Sequence, residues 1–363
     1  MAVNSLIGDV RAQLQHLFET RGECVDCVVT SPPYWGLRDY GVEGQIGLEP
    51  TLGAHLDVLV EVFGLVRQVM KPEATLWLNY GDCYASAPNG RSAAATKAAG
   101  RDDRSFTDKP MSTVGGAIKP KDLCLLPSRL VIALQEDGWW VRSEIIWAKP
   151  NPMPDSSGRY RPSTAHEKIF LLTKSAKATY DADAVRMPAS SQGSMKMPDG
   201  WDTGPGGHGT YHRNGREKGQ SVKADKQRAV DPRHEGHINH EHLDAVPRGA
   251  GRLLRNYEPD LSPIVPPEVM QIATRAFSGA HFATFPPTLV APLILAGCPK
   301  GGLVLDPFGG AGTTGLVADR FGRDAIMIEL TPDYAAMARR RIEDDAPLLV
   351  GAHETQKGAC YGV

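Results

Sequence analysis

Apolar positions along this chain fall into two alternating periods, and the alternation predicts an architecture. Leu6 and Ile7 read as a short strand ending at Gly8 and the acidic Asp9, and Val10, Leu14, Leu17 and Phe18 then recur at helical spacing. Val25-Asp26-Cys27-Val28-Val29 has the β-branched apolar character of a buried strand. From His55 to Met70, the residues Leu59, Val62, Phe63, Val66, Val69 and Met70 mark one helix face, and Lys71-Pro72 predicts its end. Thr75–Tyr80 reads as the next strand, Pro127–Asp137 as a helix closed by Gly138, and Trp139–Trp147 and Ala165–Thr173 as two further strands. After Ala280 come an apolar helix over Thr288–Gly297 with Pro292 near its start, a strand over Leu303–Asp306, a glycine-rich turn and a helix to Phe321. The strand Ala325–Glu329 and a last helix, Pro332–Ile342, complete the pattern. Strands alternating with helices predict a layered α/β sheet.

Three stretches carry no such period. Residues 84–121 are rich in Ala, Gly, Ser and Lys, and predict a mobile loop that orders on a partner. Residues 186–279 are dominated by glycine, histidine, proline and charge, which predicts an insert or a small irregular domain. The tail 346–363 reads as unstructured. The resulting division is 1–185, the insert 186–279, a second regular part 280–345, and the tail. Within the insert, His234, His237, His240 and His242 cluster without cysteines or regular ligand pairs, so no metal site is assigned.

Composition narrows the class. Hydrophobic content of 41% and charged content of 23% are those of a globular protein. No apolar run approaches the length of a membrane span and the N-terminus has no signal-like pattern, so a cytoplasmic protein without a membrane is expected. Six cysteines form no disulfide framework, and Cys24-x-x-Cys27 lacks a second pair at zinc-ribbon spacing. A net charge of −2 argues against indiscriminate coating of nucleic acid. Locally the balance differs: 88–121 and 138–177 each hold seven Lys/Arg against three acids, and both segments suit an anionic partner as well as they suit solvated loops.

The first candidate site follows the Val25–Val29 strand, where Thr30-Ser31-Pro32-Pro33-Tyr34-Trp35 stops it in a stiff turn. Neither proline donates to a ladder, so the Ser31 and Pro32 carbonyls are expected to lack secondary-structure partners. A hydroxyl, a free carbonyl and the Tyr34 ring on a rigid mount suit a planar group that carries an amine. A proline-terminated strand with a buried tyrosine would give the same residues.

The second candidate is Asp306-Pro307-Phe308-Gly309-Gly310-Ala311-Gly312-Thr313-Thr314-Gly315, with Glu329 at the end of the following strand. Residues 310–315 spell GxGxxG, the pattern of a dinucleotide site, and Glu329 is placed to accept from ribose hydroxyls. Asp306, expected at the surface of a cleft, would repel a pyrophosphate and welcome an ammonium group. S-adenosylmethionine carries such a group and no phosphate. A tight glycine turn with no ligand remains the alternative.

In this order, SPPY early and DPFGGAGTT late, the two motifs resemble those of the β group of amino-methylating DNA methyltransferases. The resemblance extends to Ile7-Gly8-Asp9, Trp147-x-Lys149-x-Asn151, His166-Glu167-Lys168-Ile169-Phe170 and Phe282-Ala283-Thr284-Phe285-Pro286, and covers roughly 5–85, 123–183 and 280–343. It implies a Rossmann-like, class I methyltransferase fold: a permuted, mostly parallel seven-stranded sheet with helices on both faces. The insert 186–279 then falls at the target-recognition region, and Asp306 and Ser31 fall on adjacent central strands.

The resemblance also implies roles. Ser31, Pro32, Pro33 and Tyr34 would be catalytic, acting on a base flipped out of double-stranded DNA. S-adenosylmethionine would be held by Asp9, Phe285, Asp306, Pro307, Phe308, Gly310, Gly312, Thr313 and Glu329. Trp35, Arg38, Lys149, Arg159 and Arg161 are the candidate DNA contacts. Serine at the first motif position goes with cytosine N(4) in that family, and adenine N(6) is the alternative. The chain has no convincing nuclease site, so a restriction endonuclease would be a separate protein, and the chain a monomer or homodimer. No Pro-Cys pair is present, which argues against methylation at cytosine carbon 5. A nicotinamide enzyme and a non-catalytic DNA-binding protein remain the readings from other classes.

Overall fold

The computed structural model describes residues 2–87, 107–152, 160–185, 269–274 and 284–345. The chain divides into two compact units, one of Met1–Arg186 with Asn256–Val363 and one of Met187–Arg255. The second unit, with its four clustered histidines, lies outside the described residues, as do Arg159 and the tail.

The strands among the described residues are β1 (Val3–Ile7), β2 (Val25–Thr30), β3 (Arg38–Asp39), β4 (Met70–Tyr80), β5 (Thr107–Asp108), β6 (Trp140–Ala148), β7 (His166–Thr173), β8 (Val269–Gln271), β9 (Leu303–Asp306) and β10 (Asp324–Glu329). The helices are α1 (Val10–Arg21), α2 (Leu52–Val69), α3 (Leu126–Glu136), α4 (Pro287–Gly297), α5 (Thr313–Arg320) and α6 (Pro332–Asp345). The main sheet runs β1-β10-β9-β2-β4-β7-β6-β8. Its pairings are parallel except β4 with β7 and β7 with β6.

The sheet therefore has eight strands where seven are expected. The additional strand, β8, lies inside the stretch 186–279 read as an insert, and it pairs with Ile146, Trp147 and Ala148 of β6. Three residues are too few to show a period. The expected loop 84–121 also has structure in its described part. Lys109 donates its backbone N–H to the Leu37 carbonyl at 2.9 Å, β3 and β5 pair, and Ile118 is buried.

Strand alternation explains how the layers form. In β2 and β4, Val28 and Leu76 pair in register and join a core cluster with Leu14 of α1, Phe63 of α2 and Leu130 of α3. Cys27 and Thr75, one step along, point to the other side, where α4 lies. Gly297 ends that helix against the sheet: an added Cβ would meet Thr75 Oγ1 at 2.3 Å and Trp77 Nε1 at 2.5 Å. With both faces covered, β2 reads as a nearly continuous apolar run instead of an alternating one.

Candidate active site

Parallel pairing brings the ends of β1, β2, β4, β9 and β10 to one edge of the sheet. Antiparallel β7 adds its first residues there, and β6 its last. Such an edge, where strand order reverses between β2 and β9, is where open α/β sheets bind ligands. The pairing of Val28 with Leu305 sets the proline turn beside the glycine loop, as the resemblance implies.

On the glycine side, Asp306 is 1% exposed, not at a cleft surface. Its Oδ1 accepts from Thr30 Oγ1 (2.7 Å) and Phe308 N (3.1 Å), and its Oδ2 from Thr314 Oγ1 (2.7 Å). Burial raises its pKa, opposed by the two hydroxyls and the Phe308 N–H. Flanking hydroxyls draw the carboxylate inward, so Asp306 joins β2, β9 and α5. Thr313 is also buried, and its oxygen accepts from Arg341 (2.8 Å). Pro307 is buried and Phe308 packs against the core.

The two loop glycines differ in purpose. Gly312 has φ +75°, and a Cβ there would meet Ala338 Cβ at 2.7 Å, so it admits helix α6. Gly310 has φ +48°, and a Cβ there would find its nearest neighbour, Phe308 O, only at 3.9 Å. Its open side leaves room for a ligand, and its N–H donates to Glu329 Oε2 (2.9 Å). Glu329 Oε1 accepts from Thr331 N (2.9 Å). Burial raises the Glu329 pKa against those two N–H groups. Asp9 follows β1, whose Ile7 pairs with Glu329, and it caps α1 by accepting from Arg11 N (2.9 Å) and Ala12 N (3.3 Å). Phe285 is partly buried just ahead of α4.

On the proline side, no donor among the described residues engages the Ser31 or Pro32 carbonyl. Gly36 N donates to Gly47 O (2.7 Å) and locks the turn after Tyr34. The Tyr34 ring stands edge-on to Tyr80, with centroids 5.1 Å apart, and its hydroxyl donates to Glu167 Oε2 (3.0 Å). Burial, and then the Glu167 charge, hold its pKa well above the ordinary phenol range. Behind it, His55 bridges Tyr80 OH (2.8 Å) and Glu49 Oε2 (2.7 Å).

The expected DNA contacts fare differently. Trp35 is 3% exposed, lies in the core cluster and donates to Glu49 O (2.8 Å), so it is a packing residue. An indole with an internal acceptor has no reason to face solvent. Lys149 pairs with Glu167 and lies 4.5 Å from the Trp147 ring centroid. Arg38 sits in β3 beside Tyr40, and Arg161 stacks on Tyr84 at 3.5 Å. Unassigned from sequence are Thr30, Thr314, Asn79 and Glu167. Of these, Thr30 directly precedes the SPPY motif, Thr314 is the last residue of DPFGGAGTT, and Glu167 lies within the His166–Phe170 segment.

A doubly wound sheet with a proline turn and a glycine loop at its switch point belongs to the class of open α/β folds that bind a ligand at that crevice. The family described as DNA methylase matches residues 25–340, and the chain belongs to it. It is 39% identical over 319 residues to the type II methyltransferase M.XycI of Xanthomonas campestris pv. cyanopsidis, covering 88% of this chain and 81% of that protein. It is 37% identical over 337 residues to M.SmaI of Serratia marcescens, covering 93% and 89%. Among solved structures, the PvuII DNA methyltransferase, cytosine-N4-specific, matches with a TM-score of 0.54 at 17% identity, covering 95% of this chain and 92% of that one. A DNA modification methylase of Thermus thermophilus, solved in complex with S-adenosyl-L-methionine, matches at 0.50 and 20%, covering 96% and 97%. These two likenesses speak to the fold.

Proposed function

We propose that this chain is a site-specific DNA methyltransferase that methylates the exocyclic N(4) amine of cytosine, with S-adenosylmethionine as its cofactor. The observation that carries the reading is the pairing of β2 with β9, which sets the Ser31–Tyr34 turn beside the loop that starts at Asp306. The loop fits this cofactor better than a dinucleotide. Gly310 has an open side, and its N–H, which a pyrophosphate site would turn toward a phosphate, is taken by Glu329. Gly310 and Glu329 would hold the nucleoside part, with Asp9 at the adjoining edge.

When bound, S-adenosylmethionine supplies a methyl group on a sulfonium. The protein's part is orientation and electrostatics. An aromatic amine is a poor nucleophile because its lone pair is delocalised into the ring. The unengaged Pro32 carbonyl accepts from the amine and Ser31 holds the neighbouring ring position, which turns the lone pair out of conjugation. Tyr34 offers a stacking face fixed by Tyr80 and Glu167. Ser31 at the first motif position favours cytosine through the family tendency; adenine N(6) is the second reading.

Double-stranded DNA is the proposed substrate, bound with the target base flipped. Any restriction endonuclease is proposed as a separate chain, and the enzyme as a monomer or homodimer. Among the described residues no helix is long and apolar enough to cross a membrane, and no group of three or more His, Cys, Asp or Glu is arranged to hold a metal ion. Incubating the purified chain with duplex DNA and methyl-labelled S-adenosylmethionine tests the reading. Label in DNA supports it, and absence of label across DNA of mixed sequence refutes it. Calorimetry against NAD separates the nicotinamide alternative.

A further inference from the structure

We propose that Asn79 and Glu167 are positioning residues that fix the Ser31 hydroxyl as a hydrogen-bond donor toward the ring nitrogen of the target base. This rests on the methyltransferase reading above. Glu167 Oε2 accepts from Tyr34 OH (3.0 Å) and from Asn79 Nδ2 (3.0 Å), while Oε1 is paired with Lys149 Nζ. An ionised carboxylate only accepts, so the amide of Asn79 must turn its NH2 toward it. The second hydrogen of that NH2 faces Ser31 Oγ at 3.4 Å, a long contact.

The cost of this orientation is visible. Asn79 is 5% exposed, and its Oδ1 has no hydrogen-bond partner among the described residues. Buried amides normally satisfy both ends, so an amide held by its nitrogen alone is placed for what the nitrogen does. Lys149 serves the same end, because it neutralises a carboxylate at a site meant for an anionic partner.

The consequence lies at Ser31. Its oxygen accepts a hydrogen bond from Asn79, so its own O–H is directed elsewhere, with the Tyr34 oxygen as its neighbour. A bound base replaces that neighbour. Labour is then divided: Ser31 donates to the ring nitrogen next to the amine, and the Pro32 carbonyl accepts from the amine. Cytosine and adenine both present an acceptor nitrogen beside an amine. Thymine has no amine and presents N–H where cytosine has its acceptor nitrogen, and guanine presents N–H where adenine has N1, so neither meets both contacts.

A double-substitution cycle tests this, with an oligonucleotide duplex in which the ring nitrogen beside the target amine is replaced by CH. For cytosine this is 3-deazacytosine. Wild-type kcat/KM is expected to fall about 10–100-fold on this substrate, because a buried donor is left unpaired. Asn79→Leu is expected to lose a comparable factor on ordinary DNA and, on the CH substrate, less than about 3-fold more. Glu167→Gln should show the same non-additivity if Asn79→Leu does not fold, with cofactor affinity and thermal unfolding as the check. Losses that multiply, or a wild-type enzyme indifferent to the CH substitution, overturn the proposal. A wild-type enzyme that transfers no methyl group to ordinary DNA refutes the underlying reading instead.

Discussion

Thr30 donates its hydroxyl to Asp306 at 2.7 Å across 276 positions of sequence, and so ties the strand that carries the proline turn to the strand that carries the glycine loop. Thr314 closes the same carboxylate from α5 by donating to it at 2.7 Å, and its oxygen lies 3.3 Å from Val29 O of β2. The two halves of the site are thereby held in one register by a buried acid.

Thr30→Val keeps the volume and removes the donor, leaving a buried carboxylate one partner short. Stability is expected to fall by about 1–3 kcal/mol, together with cofactor affinity. Asp306→Ala should lose both as well, in contrast to the folded but non-binding variant that a surface position implies. Urea unfolding and calorimetry measure the pair; unchanged stability in Thr30→Val would show the contact to be idle.

Gly81 lies against Tyr34, where an added Cβ would fall 2.6 Å from Cε2 of the ring. The ring is held by Tyr80 and Glu167 and has nowhere to move without losing one of them. Gly81→Ala is expected to cost about 1–3 kcal/mol of packing and to lower kcat while cofactor affinity stays near wild type. Steady-state kinetics beside cofactor titration separate these, and equal loss in both would place Gly81 outside the base pocket.

Burial raises the pKa of Glu329, so it takes up its proton at a higher pH than an ordinary carboxylate. Protonation removes acceptor capacity, and cofactor affinity should decline as pH falls through that raised value. The sign for stability is opposite. A carboxyl with a raised folded pKa stabilises the fold fully below its unfolded pKa, and that contribution is lost as pH rises through the folded one. Acidification should therefore weaken binding without unfolding through this residue. Cofactor titrations across pH on wild type and Glu329→Gln check it, and a pH dependence that survives the substitution assigns it elsewhere.

Sequence choice is expected, from composition and the family resemblance alone, to lie in residues 186–279 and the basic loop 84–121, since bases are read by adaptable polar contacts while phosphates are held by Lys and Arg. Exchanging 186–279, with care to retain Val269–Gln271 of the sheet, for the equivalent stretch of a relative with a different target should move the methylated sequence. An unmoved site places recognition outside the insert.

Much of the fold is legible because it is written in periods. The helical face from Leu59 to Val69 and the apolar runs of β2 and β9 need only local sequence to be seen. β8 is not legible, since three residues show no period and its pairing with β6 is a tertiary choice. The site divides similarly. Ser31, Pro32 and Gly310 stand out because proline and glycine declare their backbone. Asp306 reads as a surface residue because nothing local reveals that Thr30 and Thr314 converge on it. Asn79 and Glu167 meet only through the antiparallel register of β4 and β7, in which Tyr80 pairs with Lys168. Trp35 reads as a DNA contact because its burial depends on a turn that folds back onto Glu49.

The most direct test of the central claim is the identity of the methylated nucleoside. DNA treated with the purified enzyme and S-adenosylmethionine is digested to nucleosides and resolved by chromatography and mass. N(4)-methylcytosine is the expected product, and Ser31→Ala should reduce its rate about 100-fold or more while cofactor affinity is retained. N(6)-methyladenine alone would contradict the choice of base, and 5-methylcytosine would contradict the mechanism.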